Sequence, residues 1–140
     1  MANTAHVTWV EGMQFVGEAG SGHAMVLDGS ESGGGRDTGM RPMELLLVGL
    51  AGCTAMDVVE ILKKRRQQVH GVQVRVEGER AEEHPRVYTH IKVEYLVRGK
   101  ELSEKAVKDS IELSERKYCS VSAMLGETAE ISSSFQIVQE

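Results

Sequence analysis

From Leu45 to Gly52 the chain carries no polar side chain, and the apolar run continues through Cys53, Ala55, Met56, Val58 and Val59 with Thr54 and Asp57 set into it. A run of that length, rich in Leu, Ala and Gly, predicts a helix rather than a strand, buried on nearly all its faces. Pro42 suits the first turn, where its missing N–H costs nothing. Lys63, Lys64, Arg65 and Arg66 close the element, and cations there complement a helix C-terminus. Such a helix has about 25 residues and is about 37 Å long. The unbroken stretch is short, and Asp57 and Glu60 interrupt it soon, so no membrane span is predicted.

On either side the period changes to two. Val7 to Val10 and Gln14 to Val16 flank Glu11-Gly12 and read as a hairpin, with His23 to Leu27 as a third strand. Asp28 to Arg41, with Gly29, Gly33, Gly34, Gly35 and Gly39, reads as a flexible connector. It has no Gly-Lys-Ser/Thr at the helix entry, so a phosphate-binding loop is not supported. After the helix, Val72, Val74 and Val76 alternate with polar residues, and so do Val87, Thr89, Ile91, Val93, Tyr95 and Val97. These predict two antiparallel, half-buried strands. Ser103 is a plausible N-cap for a second helix, with Leu102 set to pack on Val107. Val107, Ser110, Ile111, Ser114 and Tyr118 then share one face at a spacing of three to four. Ser120 to Leu125 could form one more helical turn before Gly126, and Ile131, Ser133, Phe135 and Ile137 form a last strand. No repeat or linker divides the chain, which reads as a single domain over residues 1–140.

Composition narrows the function classes. The formal net charge is −5, and the basic residues form no stripe beyond 63–66, so nucleic acid is not an expected partner. No signal or anchor pattern precedes the first strand, which predicts a cytoplasmic protein and no membrane partner. Two cysteines in such a compartment are either two inert buried thiols or one redox pair.

Cys53 lies within the apolar helix, where a thiol is ordinarily a small core residue; a reactive one needs a cation or a donor beside it. Arg36, Arg41 and Lys117 are the cations on offer. Cys119 follows Arg116-Lys117-Tyr118 at a helix break, a setting that can lower a thiol pKa; the alternative is a half-buried, unreactive thiol. Asp57, one turn after Cys53, can oppose a thiolate, bond across a subunit contact, or serve as a solvated or capping residue. The five histidines have no zinc-motif spacing with each other or with the cysteines, so no metal is expected.

Pro42-Met43-Glu44-Leu45-Leu46-Leu47, then Gly52-Cys53-Thr54-Ala55-Met56-Asp57-Val58-Val59, and later Cys119-Ser120-Val121-Ser122, resemble the OsmC/Ohr family (osmotically inducible protein C and organic hydroperoxide resistance proteins), in its OsmC-like bacterial branch. The order of elements matches over nearly the whole chain. The resemblance implies an α+β fold forming an intertwined homodimer, with a buried central cysteine helix and antiparallel sheets. It implies a cysteine-based peroxidase for organic hydroperoxides, in which Cys53 becomes a sulfenic acid and Cys119 resolves it to a disulfide. No bound cofactor is implied; an external dithiol would be the reductant. Peroxidases of the family carry Glu directly after the Pro of this motif, where this chain has Met43 followed by Glu44. They also hold the thiolate with an N-terminal arginine, whereas the first 35 residues here contain none. Glu44, Arg36 and Arg41 are therefore the supporting candidates. A dimer that keeps the fold and the thiols for redox sensing, or for binding a small apolar ligand, is the non-enzymatic alternative.

Overall fold

The computed structural model describes residues 2–140. The chain packs as two compact units, Met1–Leu46 and Leu47–Glu140. In the first, β1 (Ala5–Glu11) and β2 (Gln14–Ala19) form the expected hairpin around Gly12, which sits at φ 56°. β3 (Ala24–Leu27) adds to β2, giving an antiparallel sheet of order β1-β2-β3.

The glycine-rich segment that follows is wound around a buried carboxylate, not a loose connector. Asp28, 3% exposed, accepts the Gly29 N–H at 2.7 Å, the Thr38 hydroxyl at 2.6 Å and the Thr38 and Arg36 N–H groups at 3.2 and 3.3 Å. Those bonds hold its pKa below the ordinary carboxylate value, the Thr38 hydroxyl contributing most. Side chains at Gly35 and Gly39 would run into the Gly29 and Val26 carbonyls, so two of the glycines are required by close backbone approach.

α1 (Pro42–Lys64) begins at the predicted proline and continues into the second unit. The Glu44 carboxylate accepts the Arg41 N–H at 2.9 Å, satisfying a backbone donor at the helix entry. Burial along α1 differs from the expectation. Leu50, Thr54, Val58 and Leu62 are buried, one residue every four, while Val48 and Met56 are 50% and 76% exposed. A helix presents that one stripe to a single packing partner. By length and composition α1 would suffice to cross a bilayer, a test that core helices also pass, so the sequence argument from shortness does not stand. The polar group on its buried stripe, Thr54, is hydrogen-bonded within the second unit.

That unit holds a sheet of order β4-β5-β6. β4 (Gln68–Arg80) and β5 (Tyr88–Lys100) pair antiparallel, with Ile91, Val93, Tyr95 and Val97 on the core face as their alternation predicted. β6 (Glu130–Gln139) runs parallel to β5, a correction to the expected antiparallel sheets. The reason lies between them: α2 (Glu104–Leu113), a π turn (Ser114–Tyr118) and α3 (Ser120–Leu125) form a crossover, the connection that parallel strands require. Ser103 caps α2, accepting the Ala106 N–H at 3.2 Å, and Leu102 and Val107 are both buried.

Candidate active site

The middle of α1 and the π turn after α2 bring the two cysteines together. Cys53 and Asp57 are one turn apart on α1 and both are half-buried. Cys119 caps α3, is 3% exposed, and accepts the Ser122 N–H on Sγ at 3.4 Å. The Cys53 sulfur, the Cys119 sulfur and an Asp57 carboxylate oxygen all lie within 4.8 Å of one another. No other three His, Cys, Asp or Glu side chains among the described residues gather in this way. Both thiols are free. A disulfide needs an S–S separation of about 2.05 Å, so the sulfurs must approach further to bond.

The π turn sets the position of Cys119. A regular continuation of α2 would place Tyr118 on the Ser110–Ser114 face, as the spacing predicted. Instead Cys119 N–H donates to the Ser114 carbonyl at 2.7 Å, five residues back. The extra residue in the turn exposes Tyr118 by 50% and delivers Cys119 to the buried face.

Electrostatics shift the Cys119 thiol in the sense opposite to the expected one. Burial foremost, then the hydrogen bond with Cys53, pushes the Cys119 thiol up to about 12; the Ser122 N–H opposes this, and the charges of Cys53 and Asp57 add to it. The cations that could have lowered it do not reach it, because Arg116 and Lys117 face solvent. Cys119 is therefore a thiol at neutral pH, and Cys53 is the sulfur with partial access to solvent.

Asp57 is half-buried and takes part in a side-chain hydrogen bond rather than standing free in solvent or capping a helix. Its Oδ2 accepts the Ser114 hydroxyl at 2.9 Å. Ser114 and Thr54 share a bond of 2.8 Å, and Thr54 and the Tyr95 hydroxyl another of 2.8 Å. The three hydroxyl residues are fully or nearly fully buried. Sequence reasoning missed this cluster, yet a signal was present. Thr54 is the one polar residue on the Leu50-Val58-Leu62 stripe, Tyr95 sits in the core-facing series of β5, and Ser114 opens the π turn in line with the apolar face of α2. Polar groups at three core-facing positions must find partners, and these find one another.

The supporting candidates have partners of their own in the first unit. Arg36 pairs with Glu11 at 2.5 Å, Arg41 pairs with Asp37 at 2.6 Å and donates to the Gly39 carbonyl at 3.0 Å, and Glu44 receives the Arg41 N–H.

Fold and site together describe an α+β protein with a paired-thiol centre flanked by a carboxylate. The chain belongs to the OsmC family: the family model for OsmC-like protein matches residues 33–134. Protein YhfA of Escherichia coli strain K12 is 43% identical over 134 residues, which cover 96% of this chain and 97% of that one. A hypothetical protein from Aquifex aeolicus VF5 superposes with a TM-score of 0.87 at 31% identity, covering 100% of this chain and 98% of its own. An organic hydroperoxide resistance protein OsmC from Legionella pneumophila shares the fold at a TM-score of 0.71 and 14% identity, over 97% of both chains.

Proposed function

We propose that this protein is a thiol-dependent peroxidase for organic hydroperoxides, acting as a cytoplasmic homodimer. The observation that carries the reading is the pair of sulfurs within 4.8 Å, one half-buried and one buried. Fold relatives named organic hydroperoxide resistance proteins support it. The Cys53 thiolate attacks the terminal peroxide oxygen, the O–O bond breaks, and with one proton the products are Cys53 sulfenic acid and an alcohol. The Cys119 thiol then displaces the sulfenic oxygen as water, leaving a Cys53–Cys119 disulfide. An external dithiol opens it by exchange and is itself oxidised to a disulfide. No bound cofactor takes part. The apolar helix around Cys53 favours organic over hydrogen peroxide.

The partner pairs of Arg36 and Arg41 favour a second reading, because cations already committed elsewhere lend less to a thiolate. In it the dimer is oxidised once and serves as a redox sensor or a binder of small apolar ligands. Consumption of cumene or tert-butyl hydroperoxide with dithiothreitol or a dihydrolipoyl compound separates the two. Catalytic turnover that Cys53→Ser abolishes supports the enzyme; oxidation that stops at one equivalent supports the sensor.

A further inference from the structure

The three groups gathered around the paired thiols are also the donor set of a metal site. The sulfurs of Cys53 and Cys119 and an Asp57 carboxylate oxygen lie within 4.8 Å of one another. Around a tetrahedral zinc ion thiolate sulfurs stand at about 2.3 Å and a carboxylate oxygen at about 2.0–2.2 Å, which puts the donor atoms about 3.6–3.8 Å apart, inside that limit. Cys53 and Asp57 are half-buried and give an ion an approach from solvent, while Cys119 is buried. All three residues belong to the second unit, Leu47–Glu140. No zinc motif shows along the chain, because Cys119 reaches the two α1 residues across 66 positions (119 − 53).

The groups behind the donors are themselves fixed. The Ser114 hydroxyl donates to Asp57 Oδ2 at 2.9 Å and shares a 2.8 Å bond with Thr54, whose hydroxyl meets that of Tyr95 at 2.8 Å. A carboxylate has roughly four lone-pair sites, so the Ser114 bond leaves it acceptor capacity for a cation. The Ser122 N–H bonds the Cys119 sulfur at 3.4 Å. Hydrogen bonds of these kinds hold metal ligands in orientation from behind.

We propose that Cys53, Cys119 and Asp57 bind one zinc ion in the reduced protein, with the fourth position left to water or a small ligand. Two thiolates and one carboxylate are a borderline-soft set, which suits zinc, and cadmium as its softer probe, and does not suit magnesium or calcium. Each thiol gives its proton to solvent as the ion binds. The site goes beyond the peroxidase reading and does not depend on it, and the ion takes no part in that cycle. Only its effect on the cycle rests on that reading. The two sulfurs cannot be zinc ligands and a disulfide at once, so oxidation expels the ion. Two zinc-bound thiolates give up two electrons, the hydroperoxide takes them with two protons, and the products are disulfide, alcohol, water and free zinc.

The site is tested on the reduced full chain, titrated with zinc chloride against a chromophoric chelator and with cadmium chloride by the ultraviolet thiolate-to-cadmium absorption. One ion should bind per chain, and excess magnesium should not displace it. The cadmium absorption should show two sulfurs, and Cys53→Ser and Cys119→Ser should each halve it. Either serine variant should weaken zinc binding about 100-fold, whereas Asp57→Asn and Ser114→Ala should weaken it about 10-fold and leave both sulfurs on the ion. Zinc should raise the unfolding temperature of the wild type and not that of Cys53→Ser, whose own transition shows that it is folded. Cadmium binding without the sulfur absorption, zinc binding undiminished in the Cys53→Ser, Cys119→Ser double variant, or binding undiminished by Asp57→Asn overturns the site. One equivalent of cumene hydroperoxide added to the zinc-loaded protein should pass the zinc to the chelator. Zinc retained after both sulfurs have been oxidised overturns the site. Zinc binding to both sulfurs of a protein whose thiols cumene hydroperoxide leaves reduced in the absence of zinc refutes the peroxidase reading and leaves the site standing.

Discussion

The Cys119 sulfur lies within 4.8 Å of the Cys53 sulfur across 66 positions of sequence (119 − 53). The two differ in exposure, Cys53 half-buried and Cys119 buried, so they should differ in the order of oxidation. One equivalent of hydroperoxide should give an intramolecular Cys53–Cys119 disulfide by mass spectrometry. Cys119→Ser should stop at Cys53 sulfenic acid, or climb to sulfinic acid in excess peroxide. Cys53→Ser should leave Cys119 unreacted at the same dose. Equal oxidation of Cys119 in the absence of Cys53 would contradict the assignment of roles.

The π turn makes a prediction about chain length. Removing Lys117 shortens the 114–119 interval by one and lets an ordinary helical turn carry Cys119 to the same face. Folding and disulfide formation should both survive, with a loss of stability within about 1 kcal/mol, the scale of one altered hydrogen bond. Removing Lys108 from α2 has no such compensation. It rotates Val107 against Ser110 and Ile111 by about 100°. Exposing one of these buried side chains should cost about 3 kcal/mol or more. Urea unfolding of the two deletions decides; equal losses would show that the extra residue of the π turn is not a register device.

The turn also marks the limit of what the sequence discloses. The strands of the first unit, the start of α1 at Pro42, the Ser103 cap and the core series of β5 were all legible, because each rests on local spacing or on one local hydrogen bond. Cys119 was legible as a candidate but not its environment. Whether residue 118 or 119 faces the core depends on one inserted residue that no periodicity announces. The raised Cys119 pKa follows from that burial, whereas the neighbouring Arg116 and Lys117 suggested the reverse. The glycine-rich segment failed for a related reason. Composition says that the backbone can bend, but not that Asp28 collects four donors from it. The parallel β6 is a matter of topology, which alternation along a single strand does not encode.

The Cys119 thiol gives the protein an alkaline weakness. Its folded value, about 12, stands above the ordinary 9.0. Between those limits the unfolded chain has released a proton that the folded chain keeps, so the unfolded state binds fewer protons and stability falls as pH rises. Below about pH 9 the contribution is constant. Tyr95, also raised by burial, acts in the same direction at higher pH. Chemical denaturation between pH 8 and pH 11, under reducing conditions, should show the decline, and Cys119→Ala should flatten its first part. A flat wild-type curve would mean that the thiol titrates as an ordinary exposed one.

α1 carries the last prediction. Val48, Gly52 and Met56 fall one helical turn apart, and both Val48 and Met56 are largely exposed in the single chain. A Cβ added at Gly49 or at Gly52 would meet nothing within 4 Å. Glycine inside a helix costs about 1 kcal/mol relative to alanine, and no contact within the chain offsets that cost here. A second copy approaching this face would: the glycines admit a neighbouring backbone, and the flanking Val48 and Met56 lose their water. The closed two-fold arrangement is the usual outcome of such self-complementarity. Sedimentation at micromolar concentration should therefore show a species of about 31 kDa, twice the 15.3 kDa chain. Met56→Glu sets a charge against its own copy or a dry surface, and should weaken the assembly by about thirtyfold or more, near 2 kcal/mol. A wild type that sediments as a folded monomer, or a Met56→Glu variant with undiminished self-association, would remove this face of α1 from consideration as the interface.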